Sequence, residues 1–399
     1  MENPHPSLLL LPSPPRPATH AAVRAAFEPP LKATMTNLKE HANSSENGIV
    51  LIVAVVSPIL ISSPSPSSSE TSLSWVDAQS VLAGIYSIVA IICSRLSIPS
   101  EAHAGPGSID VRVVFVHHED PSPSCRSATS SNSTIVVDLS TFASTYHPWT
   151  RIFHPNNEQG YQVLTSYLQI SETVQSLKHH QITVVEGGLS LTVDSTATPS
   201  QASTYPVVCL GGTFDHLHPG HKLLLTAAAL LLRVPEKEGA LPARFIIGIT
   251  GDELLKRKKY AEFVQSWDER VGNVVEFLSS VLQLSKSGWE VPEITKRNNE
   301  SVAQMRGGTI EIRCVVLQDP FGPTITEEDM DVLVFSAETR SGGNAVNERR
   351  RDLGWRLLET FEVDVLDAEH PSDGPTKTTD FASKISSTAI RQRKAESLT

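Results

Sequence analysis

A chain of 399 residues, 40% of them hydrophobic, is long enough to bury a core in each of two domains. Its formal net charge of −11 argues against a dedicated binder of nucleic acid or anionic membrane, because both tasks rely on a basic surface that displaces counterions. The four cysteines, Cys93, Cys125, Cys209 and Cys314, include no CxxC pair, so they indicate neither a disulfide framework nor a cysteine zinc site and fit a reducing compartment.

Residues 1–45 read as a disordered or irregular tail. The Leu8–Leu11 run is short, lies between prolines and follows Glu2, which is poor material for a secretory signal. Arg16 and Arg24 sit in a Pro/Ala-rich stretch, as in a mitochondrial presequence, while Glu2 and Glu28 count against one. A cytoplasmic location is the expectation, with nucleus and mitochondrion left open.

Residues 46–190 have α/β texture and are expected to form a smaller N-terminal domain of unassigned role. Ile49–Val56 reads as a buried strand ended by Ser57-Pro58. The uncharged stretch between Asp77 and Arg95 carries Val81, Leu82, Ile85, Ile88, Val89 and Ile92 at helical spacing. It is interrupted by Ser80, Gly84 and Ser87 and is shorter than the ~20 apolar residues that cross a bilayer, so a buried helix is expected and no membrane span. A second strand over Val111–Val116 and a third apolar run, "STIVVDLS", complete a β-α-β order suited to an open sheet. "STYHPWTRIFHP" (144–155) holds two histidines, a Trp and an Arg without a partner motif and reads as a packed loop.

A linker is placed at 191–205, in a stretch rich in Ser, Thr and Pro. Beyond it, over 206–399, strands and helices alternate. Val207–Leu210 is a strand, Gly220–Leu232 a helix and Arg244–Thr250 the next strand; "WDERVGNVVEFLSSVLQL" is a second helix, with Asp268 available to cap it. "TIEIRCVVL", "DVLVFS" and "TFEVDVL" give three more strands, with a helix over Asn344–Leu353 between the last two. This order implies a Rossmann-like, doubly wound parallel sheet that binds ligands at the carboxyl ends of its strands. Ser285–Gly308 reads as an insertion with no assigned function.

At the first of those ends stands "LGGTFDHLHPGHKLLL", Leu210–Leu225. Gly211 and Gly212 allow a sharp turn with φ > 0 and close approach of a ligand. Pro219 suits a first helical position, which puts Gly220, His221 and Lys222 in the first turn, where free N–H groups and the helix dipole attract phosphate. His218 and His221, three apart, can converge on one anion. Asp215, His216, His218 and His221 also form a chemically possible zinc set, but no matching ligands recur elsewhere and no metal site is expected. Near the other end, Ser386, Ser387 and Thr388 can present hydroxyls and free amides at a helix N-terminus, with Arg391 on the next turn.

His218-Pro219-Gly220-His221 matches the HxGH signature of the nucleotidyltransferase superfamily, which class I aminoacyl-tRNA synthetases share. With "GITGDELLKRK", "DERV", "LQDPFGPT", "SAETRSGGNAVNERR" and "KISSTAIRQR" following in order, Pro206 to about Lys394 resembles the eukaryotic phosphopantetheine adenylyltransferases. The first half resembles, more faintly, the N-terminal extension of the fungal enzymes. The resemblance implies transfer of AMP from ATP to 4′-phosphopantetheine, giving dephospho-coenzyme A and pyrophosphate, in coenzyme A synthesis. It implies Mg²⁺ arriving with ATP, and His221 and His218 as catalytic phosphate-binding histidines. Thr213 would hold the acceptor phosphate, and one lysine among Lys256, Lys258 and Lys259 would bridge both substrates. Gly211, Gly212, Phe214, Gly220, Arg340, Ser386, Ser387, Thr388 and Arg391 would hold the nucleotide.

Rivals are another HxGH enzyme such as a cytidylyltransferase, and a weakly catalytic or non-catalytic scaffold that gathers other coenzyme A enzymes. A cytidylyltransferase normally closes on paired threonines, and a synthetase on a "KISST" with a second lysine; neither occurs here. No GxxxxGK[ST] occurs either, so a fused dephospho-coenzyme A kinase is not expected and a monofunctional enzyme is.

Overall fold

The computed structural model describes residues 5–62, 71–119, 133–145, 148–189, 204–235, 239–283, 291–364 and 386–397. The chain divides into two compact units that part between residues 203 and 204. The linker expected at 191–205 lies almost wholly outside the described residues, as do Cys125, Tyr146 and His147. Cys93, Cys209 and Cys314 are buried and form no disulfide among the described residues.

The first unit begins with strand β1 (Ser7–Leu11) and helix α1 (His20–Ala42), where a disordered or irregular tail was expected. β1 lies inside a six-stranded parallel sheet. It pairs with β2 (Ile49–Ser57) on one side and with β7 (Ile152–Pro155) on the other, and Leu8, Leu9, Leu10 and Leu11 have no exposed surface. Four leucines between prolines are too few for a signal or a helix but enough for a central strand buried on both faces. α1 starts at Thr19, whose hydroxyl accepts from the Ala22 N–H, and buries Val23, Phe27, Leu31 and Leu38 along one stripe. Pro29 and Pro30 sit in its middle, where sequence rules place a helix end. They remove two i→i−4 donors, and the freed Ala25 carbonyl accepts from the N–H of Leu189 instead.

The hairpin strands β3 (Leu60–Ser62) and β4 (Thr71–Leu73) precede α2 (Trp75–Leu96). α2 is long and apolar enough to cross a membrane, yet 83% of its apolar window is buried in the fold, as expected of a core helix. It packs on α1 where Gly84 admits Val23; a Cβ at residue 84 would stand 2.6 Å from a Val23 methyl. β5 (Ile109–His117) follows, and β6 (Val137–Asp138) is much shorter than the run "STIVVDLS", because the Asp138 carboxylate accepts from Thr141 N and Oγ1 and starts α3 (Leu139–Thr145). The stretch read as a packed loop contains β7, with the buried Trp149 donating from Nε1 to the Tyr167 hydroxyl at 2.7 Å. α4 (Glu158–Ser171) and β8 (Ile182–Val185) complete the sheet, in the order β6-β5-β2-β1-β7-β8.

The second unit carries the Rossmann-like sheet. β9 (Val207–Gly212), α5 (Pro219–Ala229), β10 (Ala243–Thr250), the short α6 (Asp252–Leu255) and α7 (Trp267–Leu282) come first. The cap of α7 is Ser266 rather than Asp268. Ser266 Oγ accepts from Glu269 N while Glu269 accepts from Ser266 N, a reciprocal capping box, and Asp268 pairs with Lys296. In the expected insertion, the described part forms β11 (Thr295–Arg297) and β12 (Glu300–Met305), an antiparallel hairpin added to β13 (Ile310–Leu317); residues 285–290 of it lie outside the described residues. β14 (Val332–Ser336), α8 (Arg340–Asp352), β15 (Glu359–Val363) and α9 (Ser387–Glu396) close the unit. The strand order is β11-β12-β13-β10-β9-β14-β15, and the five strands from β13 to β15 are parallel. The order of winding reverses between β9 and β14, the position at which open α/β sheets bind ligands.

Candidate active site

A cleft of about 740 Å³ opens at that reversal. Its wall takes Gly211 and Gly212 from β9, Thr250 from β10, Leu317 from β13, Ser336 from β14, and the first turns of α5, α8 and α9.

The two glycines do not adopt positive φ. The strand continues through them, pairing Gly211 with Gly248 and Gly212 with Ile249. The chain reverses later, at Phe214 (φ 52°) and His216 (φ 47°), a left-handed conformation costing about 1–2 kcal/mol per residue for side chains other than glycine. The surroundings hold it. Phe214 is fully buried, the His216 N–H donates to Gln265 Oε1 at 2.8 Å and His216 Nε2 meets the Phe263 carbonyl at 2.8 Å. What the glycines supply is room: a Cβ at residue 212 would stand 3.0 Å from the Phe214 ring.

His218 is the N-cap residue of α5 and Pro219 its first residue, as the sequence implies. The His218 side chain makes no cap hydrogen bond to the helix. The His218 and His221 rings stack with centroids 3.8 Å apart, and Phe214 closes the other side of His221 at 5.2 Å. The Nδ1 atoms of both histidines are buried without a hydrogen-bond partner among the described residues. Burial, and then the neighbouring His221, Lys222 and His216, hold His218 well below the usual histidine range. The same burial, with His216 and Lys222, pushes His221 down to about 3. Both imidazoles are therefore neutral at pH 7, at the positive end of α5.

Of the three lysines, Lys258 lines the cleft. Lys256 pairs on the surface with Glu253 at 2.6 Å, and Lys259 contributes its backbone carbonyl to Arg391 Nε at 3.1 Å. Thr213, Gly220, Ser386, Ser387 and Thr388 also line the cleft. Ser386 caps α9, and the Ser387 hydroxyl donates to the Asp215 carbonyl at 2.9 Å. Two arginines depart from expectation. Arg340 is turned outward onto Glu362 and is not part of the cleft wall, although Ser341, Gly342 and Gly343 beside it are. Arg391 is at the cleft but almost fully buried, its guanidinium engaged by Asp215 Oδ2 at 2.5 Å, the Lys259 carbonyl and Thr388 Oγ1. An arginine already neutralised by a buried carboxylate anchors α9 more than it attracts phosphate.

The zinc set does not converge. Asp215 faces Arg391 and the Gln265 N–H, His216 faces the Phe263 carbonyl, and no three His, Cys, Asp or Glu side chains gather as a metal site among the described residues. Sequence reading weighed Asp215 only as a metal ligand and passed over Gln265 and Arg270; the signal for Arg270 was "DERV", noted for its resemblance alone.

Two family models match this chain: a domain of unknown function (DUF8446) over residues 1–191, and cytidylyltransferase-like over residues 209–393. The second unit is thus similar to the cytidylyltransferase-like family over residues 209–393. That stretch holds the whole cleft, from Cys209 to Arg391. An uncharacterized protein of Schizosaccharomyces pombe is 36% identical over 190 residues, 48% of this chain and 48% of its own length. The phosphopantetheine adenylyltransferase of Saccharomyces cerevisiae is 34% identical over 194 residues, 49% of this chain and 50% of the yeast protein. The phosphopantetheine adenylyltransferase of Pyrococcus furiosus is 28% identical over 162 residues, 41% of this chain and 79% of the archaeal protein. The chain spans about half the length of the two fungal relatives it matches.

Proposed function

We propose that the cytidylyltransferase-like domain is a pantetheine-phosphate adenylyltransferase, transferring AMP from ATP to 4′-phosphopantetheine. The observation that carries this reading is the stacked pair of neutral imidazoles whose Nδ1 atoms are buried and unpartnered among the described residues, at the N-terminus of α5. An oxygen of the acceptor phosphate attacks the α-phosphorus of ATP. The bond from that phosphorus to the α,β-bridging oxygen breaks, and pyrophosphate leaves with the electron pair. The attacking oxygen is already ionised at neutral pH, so the site needs no strong general base; in-line placement and charge neutralisation supply the rate. His221 and His218 would hydrogen-bond the α- and β-phosphate oxygens, the α5 amides would take charge developing between them, Lys258 would span the two substrates and Thr213 would hold the acceptor phosphate. The hydroxyls of Ser386 and Thr388 would donate to the far phosphates.

Mg²⁺ fits this cleft as a passenger of the nucleotide. Asp319, Glu338 and Asp364 line the cleft without forming a three-carboxylate cage, and Mg²⁺ keeps several waters and binds through substrate phosphates in such sites. Its contribution would be to shield the departing pyrophosphate.

The deciding experiment is pyrophosphate release by the purified chain with ATP and 4′-phosphopantetheine, with CTP as the alternative nucleotide and His221→Ala as control. Turnover that prefers ATP, requires the acceptor and falls about 10²–10³-fold in the variant supports the reading. A folded chain that turns over CTP alone, or neither nucleotide, overturns it.

A further inference from the structure

Arg270 is fully buried, a charged side chain on the face of α7 that also buries Val274 and Phe277. Its guanidinium meets four acceptors from three separate segments. Nη1 donates to the carbonyls of Thr213 at 2.9 Å and Thr250 at 2.7 Å, Nε to the Gln265 carbonyl at 3.0 Å, and Nη2 to Asp252 Oδ1 at 2.6 Å. Next to it, Thr250 Oγ1 donates to the Gly212 carbonyl at 3.2 Å, so two consecutive peptide units at the end of β9 are tied to the end of β10. Asp252 opens α6, and the chain leaving α6 brings Lys258 to the cleft.

We propose that Arg270, with Asp252, is a positioning pair for the acceptor side of the reaction: the guanidinium fork fixes the spacing between Thr213 and the segment that carries Lys258. Only a planar fork with five donors reaches carbonyls on opposite sides at once; a lysine has a compact charge and no such geometry. The groups fixed are Thr213, proposed to hold the acceptor phosphate, and Lys258, proposed to span both substrates, whereas the histidines and the α9 hydroxyls are held by other contacts. Loss of the fork therefore weakens the acceptor more than the nucleotide. A residue that merely stapled the core would lower stability and affect both ligands alike.

The inference rests on the adenylyltransferase reading, and the test keeps the two apart. Asp252 is largely exposed, so Asp252→Asn retains the fold; Arg270→Lys is the stronger perturbation. On the full chain, 4′-phosphopantetheine and ATP are titrated separately by calorimetry, each KM is measured and the thermal midpoint is recorded. Asp252→Asn is expected to keep its midpoint, to weaken the acceptor about fivefold in Kd and KM and to leave ATP within about twofold. Arg270→Lys is expected to weaken the acceptor by a further factor of about ten, again with ATP little changed. Absence of turnover in the wild-type chain counts against the adenylyltransferase reading, and calorimetry still decides the positioning pair. Unchanged acceptor affinity in folded Asp252→Asn, or equal weakening of both ligands, overturns the inference.

Discussion

The two sheets of this chain are wound on one plan and used differently. In each, the first strand lies inside, later strands run outward on one side and the chain returns to the other, so that winding reverses beside β1 in one unit and beside β9 in the other. At the end of β9 the chain offers two glycines, a left-handed turn and a helix that its N-cap residue, His218, leaves without a side-chain cap. At the end of β1 it offers prolines and a helix whose start is closed by Thr19. A helix N-terminus is an anion site only while its amides remain open, so a cap that stabilises the one helix would block the other.

Asp215→Ala is the harshest way to test the second unit's side of this comparison. It leaves Arg391 buried without its carboxylate, and denaturant unfolding should show a loss of about 3–5 kcal/mol together with weakened nucleotide binding. A smaller effect comes from pH. The unfolded His221 titrates near 6.5 and the folded one near 3, so the unfolded chain binds more protons between these values. Stability is complete above pH 6.5 and declines as pH falls toward 3; between pH 6.5 and 5 the share of the loss due to His221 should be about 1–2 kcal/mol after allowing for partial exposure, and His221→Gln should make the slope shallower while His218, also held low, keeps its own share. Smallest is Thr19→Ala, which should cost the first unit about 1 kcal/mol in thermal or denaturant unfolding, with turnover unchanged.

Much of the second unit was legible because its signals are local: alternating apolar runs, Pro219 at a first helical turn, glycines against a strand end. The first unit hid its central strand, since four leucines between prolines gain meaning only from β2 and β7, which lie about forty and more than a hundred residues away in sequence. Pro29 and Pro30 concealed α1 for a similar reason, because the Ala25 carbonyl that Pro29 frees is met by a distant segment at Leu189. At the site, residue types were readable and directions were not. Arg340 and Arg391 both suit a phosphate, yet carboxylates from other elements decide where each points. Arg270 was passed over because its burial depends on acceptors that the fold collects from elsewhere.

Those two prolines also change how the first unit is fastened. A helix interior ordinarily keeps its backbone oxygens to itself, but a proline pair turns one stretch of α1 into a docking strip. The Ala25 oxygen receives the Leu189 N–H, and the Ala26 oxygen lies so close to Gly188 that a Cβ there would stand 2.1 Å away. The segment leaving β8 is thus stitched to the first helix by backbone alone, and only a residue without a side chain passes the seam. Replacing Pro29 with alanine would return the Ala25 oxygen to the helix and undo that stitch, strengthening the element while loosening the unit.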